Sequence, residues 1–131
     1  MKPVLLLVFA ALPLVAATFG AEPANPARVA AGRVLFQHSC APCHARGAGD
    51  DGRALLPAPA ALTLKYHGAK SPYIEERPDL TYPVVRVFVR RGSWSMPAFR
   101  KTEISDQDIE AIAAYLQDAS KAAVRAAAAQ H

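Results

Sequence analysis

The sequence predicts an all-α, single-domain fold of three to four short helices joined by wrapping loops. Three observations carry this. Ser105 and Asp108 stand in capping-box register ahead of a buried stripe, Ile109, Ile112, Ala113 and Leu116, at helical spacing. Asn25-Pro26 supplies an N-cap and a first helical residue for a second amphipathic run, Val29, Gly32 and Phe36. Between the two lie Gly- and Pro-containing loops.

The chain of 131 residues opens with Lys2 and an apolar run from Val4 to Phe19, interrupted by Pro13 and followed by Ala21-Glu22-Pro23. One basic residue, a short apolar core and small residues predict a secretory signal peptide over 1–21. The competing reading is a retained anchor. The run is short for a span, holds a proline and has no basic stop-transfer flank, so cleavage is the expectation, after Ala17, Gly20 or Ala21. Removing about 21 residues leaves about 110, a size at which a large apolar cofactor would supply much of the missing core. The formal charge of +4 falls to +3 without Lys2, with 14 basic and 11 acidic residues. The basic residues are scattered and one Trp is present, so no nucleic-acid footprint is seen.

Glu22 to Pro26 reads as a polar linker, and the first helix is expected from Pro26 to about Gln37. Glycine in a helix costs about 1 kcal/mol against alanine, so Gly32 implies close approach of a second helix. The helix runs into Cys40-Ala41-Pro42-Cys43-His44, which holds both cysteines of the chain. C-x-x-C-H is the attachment pattern of c-type haem. Two thiols one helical turn apart add to the two vinyl groups on one porphyrin edge. The following imidazole then lies under the ring, where it coordinates the iron.

Other chemistries use the same residues. A disulfide across a two-residue gap closes too small a loop to constrain the unfolded chain much. Cys-Ala-Pro-Cys also fits a thiol–disulfide oxidoreductase, but that motif belongs near a βαβ pattern, and here a helix end precedes it and a glycine-rich loop follows.

Arg46 to Gly52 is a loop with three glycines and two aspartates. Leu55 to Leu64 is apolar but holds Pro57 and Pro59, which predicts irregular wrapping chain. After Lys65-Tyr66-His67-Gly68 a second loop, with Pro72 and Pro78, reaches Leu80. Thr81 is placed to cap a helix from Tyr82 to Arg91, with Pro83 in its first turn and Gly92 as terminator. Its β-branched residues suit a strand equally, and the start and stop signals decide for helix. Ser93 to Phe99 is a loop. The last helix starts at Ser105 with an Ile104/Ile109 staple, and the Ala-rich segment 121–131 is expected to extend it and fray.

The iron's second face needs a ligand. Met96 is the one methionine after the signal segment; it lies 52 positions after His44 (96 − 44) and precedes Pro97, which favours extended backbone. His67 is the alternative, giving bis-histidine iron; His38 projects from the preceding helix and His131 lies in the tail. Thioether and imidazole on opposite faces fill the coordination sphere and raise the potential, which suits one-electron transfer. A five-coordinate iron would instead bind gases or do peroxidatic chemistry. Trp94 and Phe99 are placed to pack on the ring, on a propionate or in the core. Arg90, Arg91, Arg100 and Lys101 flank the Met loop, to steer an acidic partner or as a solvated face.

Over Ala27 to Leu116 the chain resembles a monohaem class I cytochrome c, in its Gly32/Phe36 helix, Cys40-Ala41-Pro42-Cys43-His44, Gly92 to Phe99 and Ala113-Ala114-Tyr115-Leu116. The resemblance implies the class I cytochrome c fold over 22–120, one covalently bound haem c with its iron, and export to the periplasm. It implies that Gly32 and Phe36 meet Tyr115 and Leu116. It also implies that a loop proline carbonyl, Pro57 or else Pro59, accepts a bond from His44 Nδ1–H. The family's usual Gly-Pro-x-Leu is replaced here by Leu56-Pro57-Ala58-Pro59. Ala61 to Tyr66 and Phe99 to Asp106 are similar to the small cytochrome subunits of p-cresol methylhydroxylase and eugenol hydroxylase-type flavocytochromes. That narrower likeness implies a flavoprotein dehydrogenase as redox partner.

Overall fold

A computed structural model describes residues 25–130; the predicted signal segment 1–21, its cleavage sites and His131 lie outside the described residues. Among the described residues the chain forms five helices: α1 (Pro26–Ser39), α2 (Ala41–His44), α3 (Pro57–Tyr66), α4 (Tyr82–Arg91) and α5 (Asp106–Ala128). A 3-10 turn spans Ile74–Glu76, and no strand occurs among the described residues. The all-α expectation holds, with more helix than foreseen.

Three helices start where their local chemistry directs. Asn25 Oδ1 accepts from Ala27 N–H at 3.0 Å ahead of Pro26 in α1. Before α5 both arms of the capping box are made: Ser105 Oγ accepts from Asp108 N–H at 3.1 Å, and Asp108 Oδ2 from Ser105 N–H at 2.9 Å. The start of α4 differs in detail, because the Thr81 side chain makes no capping bond and Pro83 alone marks the first turn. Gly92 ends α4 at φ 66°.

Helix α3 corrects the sequence reading. Pro57 and Pro59 occupy its first turn, where the N–H groups have no helical acceptor, so proline removes no bond. It ends on His67 in the left-handed conformation (φ 47°, ψ 38°), which leaves that histidine exposed as a C-cap. The alanine-rich tail continues α5 in unbroken helix as far as Ala128.

Helices α1 and α5 cross at the centre. Phe36, Ile109, Ile112, Ala113 and Leu116 are buried there with Leu80, Val85, Val89 and Ile104. The Phe36 and Tyr115 rings stack tilted with centroids 5.3 Å apart, as the family likeness implied. Gly32 lies against the backbone of Ala111 and Ile112, one turn nearer the start of α5 than Tyr115. The loop before α4 is fastened by polar contacts: Gln117 Nε2 donates to Pro78 O (3.1 Å) and Leu80 O (3.0 Å). Buried Arg77 donates to both carboxylate oxygens of Asp79 at 3.0 and 2.8 Å, and its guanidinium lies 4.8 Å over the Tyr66 ring. No helix among the described residues is long and apolar enough to cross a membrane.

Candidate functional site

The cysteine motif occupies a hinge between two helices. Cys40 ends α1, donating its N–H to Phe36 O at 2.8 Å, and its own carbonyl starts the single turn α2 by accepting from Cys43 and His44 N–H at 3.1 and 2.9 Å. Pro42 falls in the first turn, where it costs nothing. Both thiols are free. Cys43 is exposed, whereas Cys40 is half-buried and its thiol is pushed up to about 11, by burial first and then by the neighbouring Cys43. Reactive redox dithiols have the opposite property, a depressed thiol pKa. Together with the missing βαβ unit, this counts against the thiol–disulfide reading.

His44 closes the turn. Burial lowers its pKa, favouring the neutral imidazole that a metal requires. Its Nδ1 is buried and has no hydrogen-bond partner. The expected bond to Pro57 is not formed. Both candidate prolines have turned into α3, where carbonyls point along the helix axis, and Pro59 O accepts from Thr63 Oγ1 at 2.8 Å. Helix α3 nevertheless packs against α2 and backs the motif.

The arm leaving the motif is held by contacts that the sequence did not signal. The Arg46 guanidinium lies 3.9 Å over the Tyr73 ring and pairs with Glu76. Glu76 also accepts from Ser71 Oγ at 2.6 Å, and its neighbour Glu75 accepts from the Tyr115 hydroxyl. A consecutive Glu pair in a polar loop is an ordinary surface feature, so only the fold reveals it as a bridge from Arg46 to the α1–α5 crossing.

Met96 sits in a tight hairpin: Ser93 N–H donates to Met96 O at 3.0 Å and Met96 N–H to Ser93 O at 2.9 Å. Gly92 allows this, since a Cβ on it would lie 2.5 Å from Met96 O. The loop is then clamped to α4. Arg90 donates to Phe99 O (3.1 Å), Ile104 O (2.8 Å) and Asp106 Oδ1 (2.8 Å), and Phe99 N–H donates to Val89 O at 2.8 Å. Arg90 is therefore an internal brace rather than a steering charge. Lys101 and Arg100 are exposed but pair with Asp106 and Glu103. Phe99 packs half-buried against the core, while Trp94 is wholly exposed and takes no part in it.

Cys40, Ala41 and Met96 all pack against the same core. On α4, Pro83, Val84, Val87 and Phe88 line a shallow apolar depression, and Val84 also packs against the core. Two free thiols and a half-buried imidazole on one short stretch of chain, with a methionine packed against the same core, suit a covalently attached haem. They do not suit a simple metal site, because no three His, Cys, Asp or Glu side chains converge among the described residues.

The cytochrome C oxidase, cbb3-type, subunit III family matches residues 27–116, from the first turn of α1 to the buried Leu116 of α5. No curated protein and no solved structure matches the chain. The family match thus covers the motif, the Met96 hairpin and both crossing helices, and the chain belongs to this family of c-type cytochromes, carrying a covalently bound haem c with its iron.

Proposed function

We propose that the protein is a periplasmic one-electron carrier in which Cys40 and Cys43 tether the haem and His44 and Met96 ligate its iron. The bound haem supplies a metal that changes charge by one. The chain's own residues keep other chemistry out. The turn α2 fixes both sulfurs and the imidazole on one short segment, and the Ser93–Met96 hairpin with its Arg90 brace holds the thioether against the same core. The observation that carries this reading is the pairing of an unsubstituted C-x-x-C-H turn with one hairpin-held methionine inside a matching cytochrome family.

The export reading rests on the predicted 1–21 signal segment. The flavocytochrome-like segments 61–66 and 99–106 favour a flavin-dependent dehydrogenase as electron donor. Mass spectrometry of the secreted protein should show the added mass of one haem that survives acid–acetone extraction. Met96→Ala should keep that haem attached and open the iron to carbon monoxide or cyanide. A Met96→Ala protein as inert to both ligands as the wild type would remove Met96 from the ligand set.

A further inference from the structure

The Ser93–Met96 hairpin carries an unexplained cost. Trp94 is its first corner residue, at φ 55°, and Ser95 after it has negative φ, the sign pattern of a type II′ turn in which that corner favours glycine. An aromatic residue there is strained, and strain of this kind persists where surroundings or function require it. No protein contact requires it: the indole is fully exposed to the rest of the chain and outside the core. Neither is the turn loose, since two backbone bonds, the Gly92 approach and the Arg90 brace fix it. The backbone that carries the indole is thus fixed, two residues from Met96, and the side chain stands clear of the rest of the chain.

Charge points the same way. Residues 82–106 hold five basic and two acidic residues, a net +3 out of +4 for the whole chain. Arg91, three positions from Trp94, is exposed and makes no ion pair among the described residues. Tryptophan and arginine are the side chains that most often dominate protein interfaces, and charge sets the encounter rate of transient ones.

We propose that Trp94 is the anchor by which this cytochrome docks its redox partner, an acidic-rimmed protein surface with an apolar recess for the indole. This rests on the electron-carrier reading and adds the contact to it. The test uses the haem-loaded protein and two reductants, ascorbate and an acidic flavodoxin in its hydroquinone form. Trp94→Gly, which the turn geometry favours, should leave the spectrum, the reduction potential and the ascorbate rate as in the wild type. Its second-order rate with flavodoxin should fall about tenfold. Arg91→Glu should also slow flavodoxin and flatten the dependence on ionic strength.

An unchanged flavodoxin rate in Trp94→Gly overturns the proposal. So does a shifted spectrum or potential, which would make the indole a haem cover, and so does a wild-type dimer that Trp94→Gly dissociates. A wild-type protein without haem, or one that ascorbate cannot reduce, would instead sink the electron-carrier reading itself.

Discussion

Gly32 of α1 and Ala111 of α5 are in backbone contact: a Cβ on Gly32 would sit 1.9 Å from the Ala111 carbonyl oxygen and 2.4 Å from its carbon. Neither group can swing aside, because both belong to helical backbone. Alanine in place of glycine ordinarily gains about 1 kcal/mol in a helix. Overpacking a tight core costs typically 1–3 kcal/mol, and here two helices must separate at their crossing. Gly32→Ala is therefore expected to destabilise the fold by about 2 kcal/mol or more, read as a lower urea midpoint. A neutral or stabilised variant would mean that the crossing is looser than described.

Arg90 should matter far more than its charged neighbours. Its side chain is 16% exposed, and its guanidinium serves the carbonyls of Phe99 and Ile104 as well as Asp106. Arg90→Met keeps the aliphatic stem but orphans those acceptors, at a cost of about 2–4 kcal/mol. Because the brace holds the Met96 loop, the variant should also bind cyanide faster than the wild type. Lys101→Met removes one exposed pair and should change stability by less than about 1 kcal/mol. Denaturant titrations of the two variants side by side check the contrast.

How much of this was legible depended on how local each signal was. The caps at Asn25 and Ser105 and the terminator Gly92 act within three or four residues, so the starts of α1 and α5 and both ends of α4 are legible. Helix α3 is not legible because Pro57 and Pro59 read as breakers, although proline is harmless in a first turn. The Arg90 brace could not be read, because its partners lie 9, 14 and 16 positions downstream with nothing local to mark them. Nor could the Arg46–Glu76 and Tyr115–Glu75 bridges, which join loops to helices through unremarkable charged residues. The Phe36–Tyr115 contact was anticipated from a family likeness and not from periodicity.

The bridge behind the haem motif makes its own prediction. Glu75→Gln weakens the acceptor for Tyr115 OH, and Glu76→Gln removes the charge facing Arg46. Arg46 is mostly exposed, so the second change should cost under about 1 kcal/mol in stability. Its effect should instead be local, as faster amide exchange in residues 45–52 with the helix cores unchanged. Glu75→Gln should loosen the α5 side of the same bridge. Equal protection of 45–52 in wild type and Glu76→Gln would show that the bridge holds nothing in place.

Acid should act through Asp106. Hydrogen bonds from Lys101 first, and then Arg90, lower its carboxyl from 3.8 to about 2. A folded pKa below the unfolded one means that the unfolded chain binds the proton more readily as pH drops. The stabilisation from Asp106 is therefore complete above about pH 5, shrinks as pH falls through 4 and then through the folded value of about 2, and is gone only at about pH 1. Asp106→Asn should be less stable than the wild type at pH 7, with the gap constant down to about pH 5 and closing between about 4 and 1. The pairs are on the surface, so added salt should narrow the gap at every pH. A gap that stays constant into strong acid would mean that the difference comes from packing or bond geometry that asparagine lacks, and that the carboxylate charge contributes nothing.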